Sequence, residues 1–139
     1  MTTQIEKALA LAEDLVEVLR GSPPVFDFGG PAFQRAPVLA RRMIVKYWPV
    51  DQWETAAAIG ELESSWDAHA INDTRDRTDL PEGHSQEFSI GWYQINMLVH
   101  SQHKLVDLKD PEYNARAAYA LWHRFGWKPW SAAKKLGVN

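Results

Sequence analysis

Glu63 stands on the wrong side of the helix that should carry it. At about 100° per residue, Ala56, Ile59, Gly60 and Glu63 share one side of a helix between Gln52 and Ser65, with Trp53 and Trp66 flanking it. Glu54 and Glu61, seven apart, lie opposite and already make an ordinary polar face. A carboxyl group set among apolar neighbours has its charged form disfavoured, so its pKa rises. Such a group holds a proton near neutral pH and can give it to a reacting atom. The competing reading is a partly exposed glutamate at a helix C-terminus, where the wheel drifts. Other chemistries find no support. His100 and His103 are two imidazoles three apart, without the further ligands that a zinc site needs. Asp73, Asp76 and Asp79 do not follow the spacing of a calcium loop. There is no Gly-rich phosphate loop and no Gly-x-Ser-x-Gly elbow. No metal and no cofactor is called for.

The helix bearing Glu63 is expected to begin at Asp51, with Glu54 as its capping partner, and to run to about Ser65. Before it, Val38, Leu39, Met43, Ile44, Tyr47 and Trp48 repeat at helical spacing from Pro37, and Pro49 ends that helix. After it, residues 68–88 are polar and irregular, a long loop of the kind that is more often functional than not. Ser89 to Asn96 is a short ordered segment of open type, and Met97 to Lys104 a helical turn or two. The last clear helix takes Asp110 as N-cap and Pro111 as first residue, and continues through Trp122 and Phe125 to Gly126. Strands are expected only at the edges of the loop, so the class is mainly α. At the N-terminus, Thr3 and Glu6 fit a capping box. Ile5, Leu9, Ala12, Val16 and Leu19 form the apolar face of a helix ending near Gly21. That face is expected to pack on its own domain, the alternative being a docking surface for a partner. Residues 21–36 hold three prolines and three glycines, which speak against a regular helix, and Phe26, Phe28 and Phe33 make the segment a packed strap. The division expected is an N-terminal helix and strap over 1–36 and a catalytic domain over 37–139.

Composition narrows the partners. A chain of 139 residues is one domain's length. Lys+Arg 15 against Asp+Glu 18, a net charge of −3, is no footprint of a nucleic-acid binder. No apolar run reaches the roughly 18 residues of a membrane span, and the N-terminus shows no basic cluster followed by an apolar stretch. Cys 0 excludes a disulfide. The unusual count is Trp 7, all between Trp48 and Trp130. Aromatics at that density fill a core or line a site for rings and sugars.

Three segments in order resemble a family. Ala57-Ala58-Ile59-Gly60-Glu61-Leu62-Glu63-Ser64-Ser65-Trp66 is similar to the Glu-Ser helix end of lysozyme-like lytic transglycosylases, of soluble-lytic-transglycosylase or goose type. Ser89-Ile90-Gly91-Trp92-Tyr93-Gln94-Ile95-Asn96 resembles that family's Ser-x-Gly-x-x-Gln-Ile-Asn signature, and Asp110-Pro111-Glu112-Tyr113-Asn114 opens its Asp-Pro-x-x-Asn helix. The resemblance covers roughly residues 38–132, and looks closest to domains of phage tail proteins, where a closing Gly-Trp-x-Pro-Trp also occurs, here Gly126 to Trp130.

The resemblance implies a small lysozyme-like fold that cleaves the β-1,4 bond between N-acetylmuramic acid and N-acetylglucosamine in peptidoglycan. It makes Glu63 the general acid on the glycosidic oxygen and then the base of the second step. Ser64 would orient the glutamate. Ser89 and Gly91 would let the backbone approach the sugar, and Gln94 and Asn96 would line the cleft floor. Glycoside cleavage usually sets a second carboxylate against the acid. Asp73, Asp76, Asp79 and Glu87 are the candidates, with Asp73 the first choice. Transglycosylases need none, because the substrate's own 6-hydroxyl attacks. The family's late Tyr-Asn pair, whose tyrosine bonds the catalytic glutamate, is missing, and Tyr93 or Tyr119 is left to supply that hydroxyl. Trp92 and Trp130 are candidates for stacking on sugar rings, Trp127 less so, and Trp122 is expected in the core. The partners implied are peptidoglycan strands and, through the N-terminal helix, phage tail proteins, with action from a virion or an infected cell. A non-catalytic lysozyme-like module that binds glycan or builds a phage tail is the alternative.

Overall fold

The computed structural model describes residues 4–19 and 30–139. Among these the chain is mainly helical, with a small sheet, as its periodicities predict. Seven α-helices are described: α1 Gln4–Leu19, α2 Gly30–Arg35, α3 Val38–Tyr47, α4 Trp53–Ser64, α5 Leu105–Leu108, α6 Pro111–Phe125 and α7 Ala132–Leu136. Three strands, β1 Ile71–Asp73, β2 Phe88–Ile90 and β3 Ile95–Asn96, form an antiparallel sheet in the order β1-β2-β3. β1 and β2 lie at the edges of the polar loop, where strands were expected, and β3 lies in the Ser89–Asn96 segment, whose type was open. The described chain forms two compact units, the first ending at Ile59 and the second starting at Gly60.

In the first unit α3 keeps the predicted bounds, with Pro37 as N-cap and Trp48 as C-cap. α1 packs against α3, yet not by the predicted face. Ile5 is 82% and Leu9 58% exposed, while Lys7 and Ala10 are buried. The lysine's four-carbon stem supplies apolar area to the inward side, and burial pushes its ammonium pKa down. Thr3, Gly21, Phe26, Phe28 and the side chains of Ala12, Val16 and Leu19 lie outside the described residues.

The strap reading fails at its C-terminal end, where residues 30–35 are the helix α2. Gly30 and Pro31 sit in its first turn, where a missing N–H is harmless. Its free N–H groups are capped from a distance: Ala32 N donates to Glu54 Oε1 at 2.7 Å and Phe33 N to Glu54 Oε2 at 3.3 Å. Glu54 was expected to cap its own helix; that helix is instead preceded by a 3-10 turn, Val50–Gln52. Phe33 is buried and stacks on Trp53 at 5.4 Å. Replacing Glu54 with alanine is expected to lower the unfolding free energy by about 1–2 kcal/mol, the usual loss of a cap, as read from urea denaturation.

In the second unit α6 starts as predicted. Asp110 is its N-cap, its carboxylate accepting from Tyr113 N at 2.9 Å, and Pro111 opens the first turn. Met97 to Lys104 forms turns rather than a helix, and the short helices α5 and α7 were not foreseen. Trp122 is half-buried rather than core, tilted against Tyr119 and Trp127 at 5.8 and 6.0 Å.

Candidate active site

The apolar side of α4 leads directly to the site. Ala56 and Ile59 are fully buried, and Gly60 leaves room for the ring of Trp66, which an added Cβ would strike. Glu63 lies one turn further on the same side and is half-buried. The helix is stopped by two successive non-glycine residues in the left-handed region, Ser65 (φ 52°) and Trp66 (φ 63°). Each costs about 1–2 kcal/mol, a cost that functional sites commonly carry. This reversal sends the Trp66 ring back over Gly60. It also lets Ser64 Oγ donate to the Trp92 carbonyl at 2.9 Å and Trp92 Nε1 donate to the Trp66 carbonyl at 3.2 Å. The end of α4 is thereby tied to the turn between β2 and β3.

That turn is pinned from the other side by Asn114 of α6, which is completely buried. Its Oδ1 accepts from Tyr93 N at 2.9 Å, and its Nδ2 donates to the carbonyls of Ile90 and Leu108, both at 2.9 Å. Gly91 (φ 80°) lies flat against this amide. Gln94 turns the chain again with φ 49°, and its Nε2 donates to the carbonyls of Ala70 and Gly91. Asn96 Oδ1 accepts from the backbone N–H groups of Phe88 and Leu98, both at 3.1 Å.

A cleft of about 490 Å³ opens over this framework. Glu63, Glu87, Ser89, Gln94, Asn96 and Trp130 line it, together with residues 83–86, Pro129, Ser131 and Lys134. The Glu63 pKa is raised to about 7, first by burial and then by the charge of Glu87; the Ala132 backbone N–H and the Lys135 charge act the other way. Glu87 is held by Ser89 Oγ, which donates to Oε2 at 2.7 Å, and by Asn72 Nδ2, which donates to Oε1. The two donors face each other across the β1–β2 pairing, Asn72 opposite Ser89.

The other predicted site residues divide clearly. Asp73, first choice as second acid, is exposed and outside the cleft lining. Arg75 holds it at 2.8 and 2.9 Å and keeps its pKa down at about 2. The carboxylate brought to Glu63 is Glu87. Its cue in the sequence is alternation along a strand, since Glu87 and Ser89 share one face. Neither Tyr93 nor Tyr119 lines the cleft: Tyr93 is fully buried, which drives its phenol pKa up, and Tyr119 lies against Trp122 and His123. Trp92 and Trp130 are each only 4% exposed. Trp92 meets Trp66 edge-on at 5.2 Å, whereas Trp130, whose Nε1 donates to the Tyr93 carbonyl at 2.8 Å, is among the residues lining the cleft. Trp127 is buried against Trp130 at 5.2 Å. The tryptophans of this unit therefore build a packed aromatic floor more than an open platform. The contact of α7 with Glu63 had no sequence signal, because a backbone amide makes it.

A helix-end glutamate in a polar cleft, backed by a small antiparallel sheet and a helical body, is the arrangement of a lysozyme-like domain. The lysozyme-like domain family model matches residues 48–132, more than half of the chain, and the chain belongs to that family. No curated protein and no solved structure gives a significant match. Among the described residues, no helix is long and apolar enough to cross a membrane.

Proposed function

We propose that this domain cleaves the β-1,4 bond between N-acetylmuramic acid and N-acetylglucosamine in peptidoglycan, with Glu63 as general acid. The observation that carries the reading is the pair in one cleft: Glu63 with its pKa at about 7, and Glu87, whose charge helps to raise it. Protonated Glu63 gives its proton to the glycosidic oxygen as the C–O bond breaks, so the leaving sugar departs as a neutral hydroxyl. The sugar left behind is oxocarbenium-like, and the negative charge of Glu87 stabilises it. Glu87, steadied by two donors, also favours water as the attacking nucleophile, with a carboxylate accepting its proton. Gln94 spends its N–H donors on backbone carbonyls and keeps Oε1 for a substrate N–H. Asn96 spends Oδ1 on backbone N–H groups and keeps Nδ2 for a substrate carbonyl. Together they suit an N-acetyl group. Ser64, Gly91 and Trp92 act as positioning residues beneath, and Tyr93 and Tyr119 support the aromatic packing.

Digestion of purified peptidoglycan, with mass spectrometry of the soluble products, tests this. Muropeptides with reducing ends are the expected result. Anhydro ends would keep the cleavage but make the 6-hydroxyl the nucleophile and Glu87 an electrostatic partner only. No soluble product would overturn the reading and leave a glycan-binding or structural module. Replacing Glu87 with glutamine removes the charge that, after burial, raises the Glu63 pKa. The alkaline limb of kcat/KM, near pH 7 in the parent, is then expected to move to lower pH, and the rate to fall about a hundredfold. An unmoved limb would detach Glu87 from the acid.

Residues 37–139 are taken as the catalytic domain and 1–36 as an accessory segment, supported by the span of the family match. Delivery by a phage tail is supported by the likeness of Asp110–Asn114 and Gly126–Trp130 to tail-protein domains.

A further inference from the structure

A second groove, of about 630 Å³, shares Asn96 and Pro129 with the cleft and so continues it. Its charge is different. The cleft holds two carboxyl groups and one lysine, Lys134, whereas no carboxyl group lines the groove, and Arg124 and Lys128 stand in it. His100, also in the lining, has its pKa pushed down by burial and by the neighbouring His103, so the cationic character at neutral pH comes from the arginine and the lysine. The remaining wall is apolar: Val99, 69% exposed, Phe125 and Pro129. The Arg124 guanidinium lies over the Phe125 ring at 5.1 Å, which holds its charge over an apolar surface.

Two cations beside exposed apolar side chains suit a ligand that is anionic and partly aliphatic. The sugars of a glycan strand are neutral. What they carry outward from the muramic acid is a short peptide with free carboxylates and methyl and methylene groups. Resting on the cleavage reading above, we propose that the groove holds this acidic peptide stem, and that the enzyme prefers strands whose stems are intact. Charge complementarity and continuity with the cleft select this occupant.

The test compares two substrates: soluble glycan strands with stems intact, and the same strands stripped by an amidase. The parent protein is expected to show kcat/KM about five- to tenfold higher on the intact strands, the effect of two partly exposed ion pairs. In an Arg124→Ala, Lys128→Ala double variant that ratio is expected to collapse toward one, through KM. Both residues are exposed, and thermal melting checks that the variant is folded. Equal rates of the parent on both substrates, or an unchanged ratio in the variant, would overturn the proposal. Calorimetric titration with the free peptide Ala–γ-Glu–diaminopimelate separates the groove from the chemistry. Should the parent cleave neither substrate, the cleavage reading falls. The groove then stands if the peptide binds the parent and not the variant, and falls if it binds both or neither.

Discussion

Glu63→Gln is expected to lower the turnover of peptidoglycan by a factor of about a hundred to ten thousand, the range supplied by a positioned general acid. The variant keeps the shape of the side chain and an oxygen for the Ala132 N–H, so its fold should survive. Activity of the parent should fall above pH 7, about tenfold per unit, as the acid loses its proton. Stability carries the same signature with a definite sign. A carboxyl raised from 4.5 to about 7 on folding means that the native chain binds more protons than the unfolded one between those pH values. The parent is therefore fully stable below about 4.5 on this account and loses stability as pH rises toward 7. Glutamine carries no such penalty. At pH 8 the variant is expected to be more stable by ~1–2 kcal/mol, the full linkage value being reduced because the group keeps part of its solvent. Denaturation of both proteins at pH 4 and pH 8 checks this. A variant that is inactive yet no more stable at pH 8 would mean that Glu63 is not held protonated by its surroundings.

The second large effect is on folding. Gly91→Ala is expected to lower stability by about 3–5 kcal/mol. With φ at 80°, a side chain there is strained, and its Cβ would run into Asn114 Nδ2 and come within 2.6 Å of the Leu108 carbonyl. Left-handed backbone costs about 1–2 kcal/mol, overpacking a further 1–3, and each displaced buried hydrogen bond about 1. Because Asn114 holds Ile90, Tyr93 and Leu108 together, the damage should spread to Gln94 and the cleft floor. A melting curve and a digestion assay below the melting point report the two parts. A variant as stable as the parent would show that the turn can shift away from α6.

What could be read in advance follows how local the cause is. α3 and α6 are long and periodic, and the caps of α6 are adjacent in the chain, so both were legible. Glu63 was legible for the same reason, since the period of a helix places it beside Ile59 and Gly60. α2 was hidden because its cap, Glu54, lies more than twenty residues away. Asp73 is the nearer carboxylate in sequence, but strand pairing rather than sequence distance decides which carboxylate lines the cleft with Glu63, and that one is Glu87. Arg75, two residues on, occupies Asp73, while the pairing of Asn72 with Ser89 provides the two donors that hold Glu87. Tryptophan content announced a sugar site and a core alike. Only packing shows that Trp92, Trp127 and Trp130 are buried.

The missing tyrosine has its counterpart in the main chain. The hydrogen bond to Glu63 comes from the N–H of Ala132, a group that every amino acid except proline possesses. No particular side chain has to be inherited at that position for the Glu63 carboxyl to keep this bond. Position 132 itself can therefore change as long as the turn survives and the residue there stays small enough to be buried, while Trp127 and Trp130 beside it remain fixed by packing. An alignment column there would show only a preference for small residues, although the atom it hides is the one bonded to Glu63.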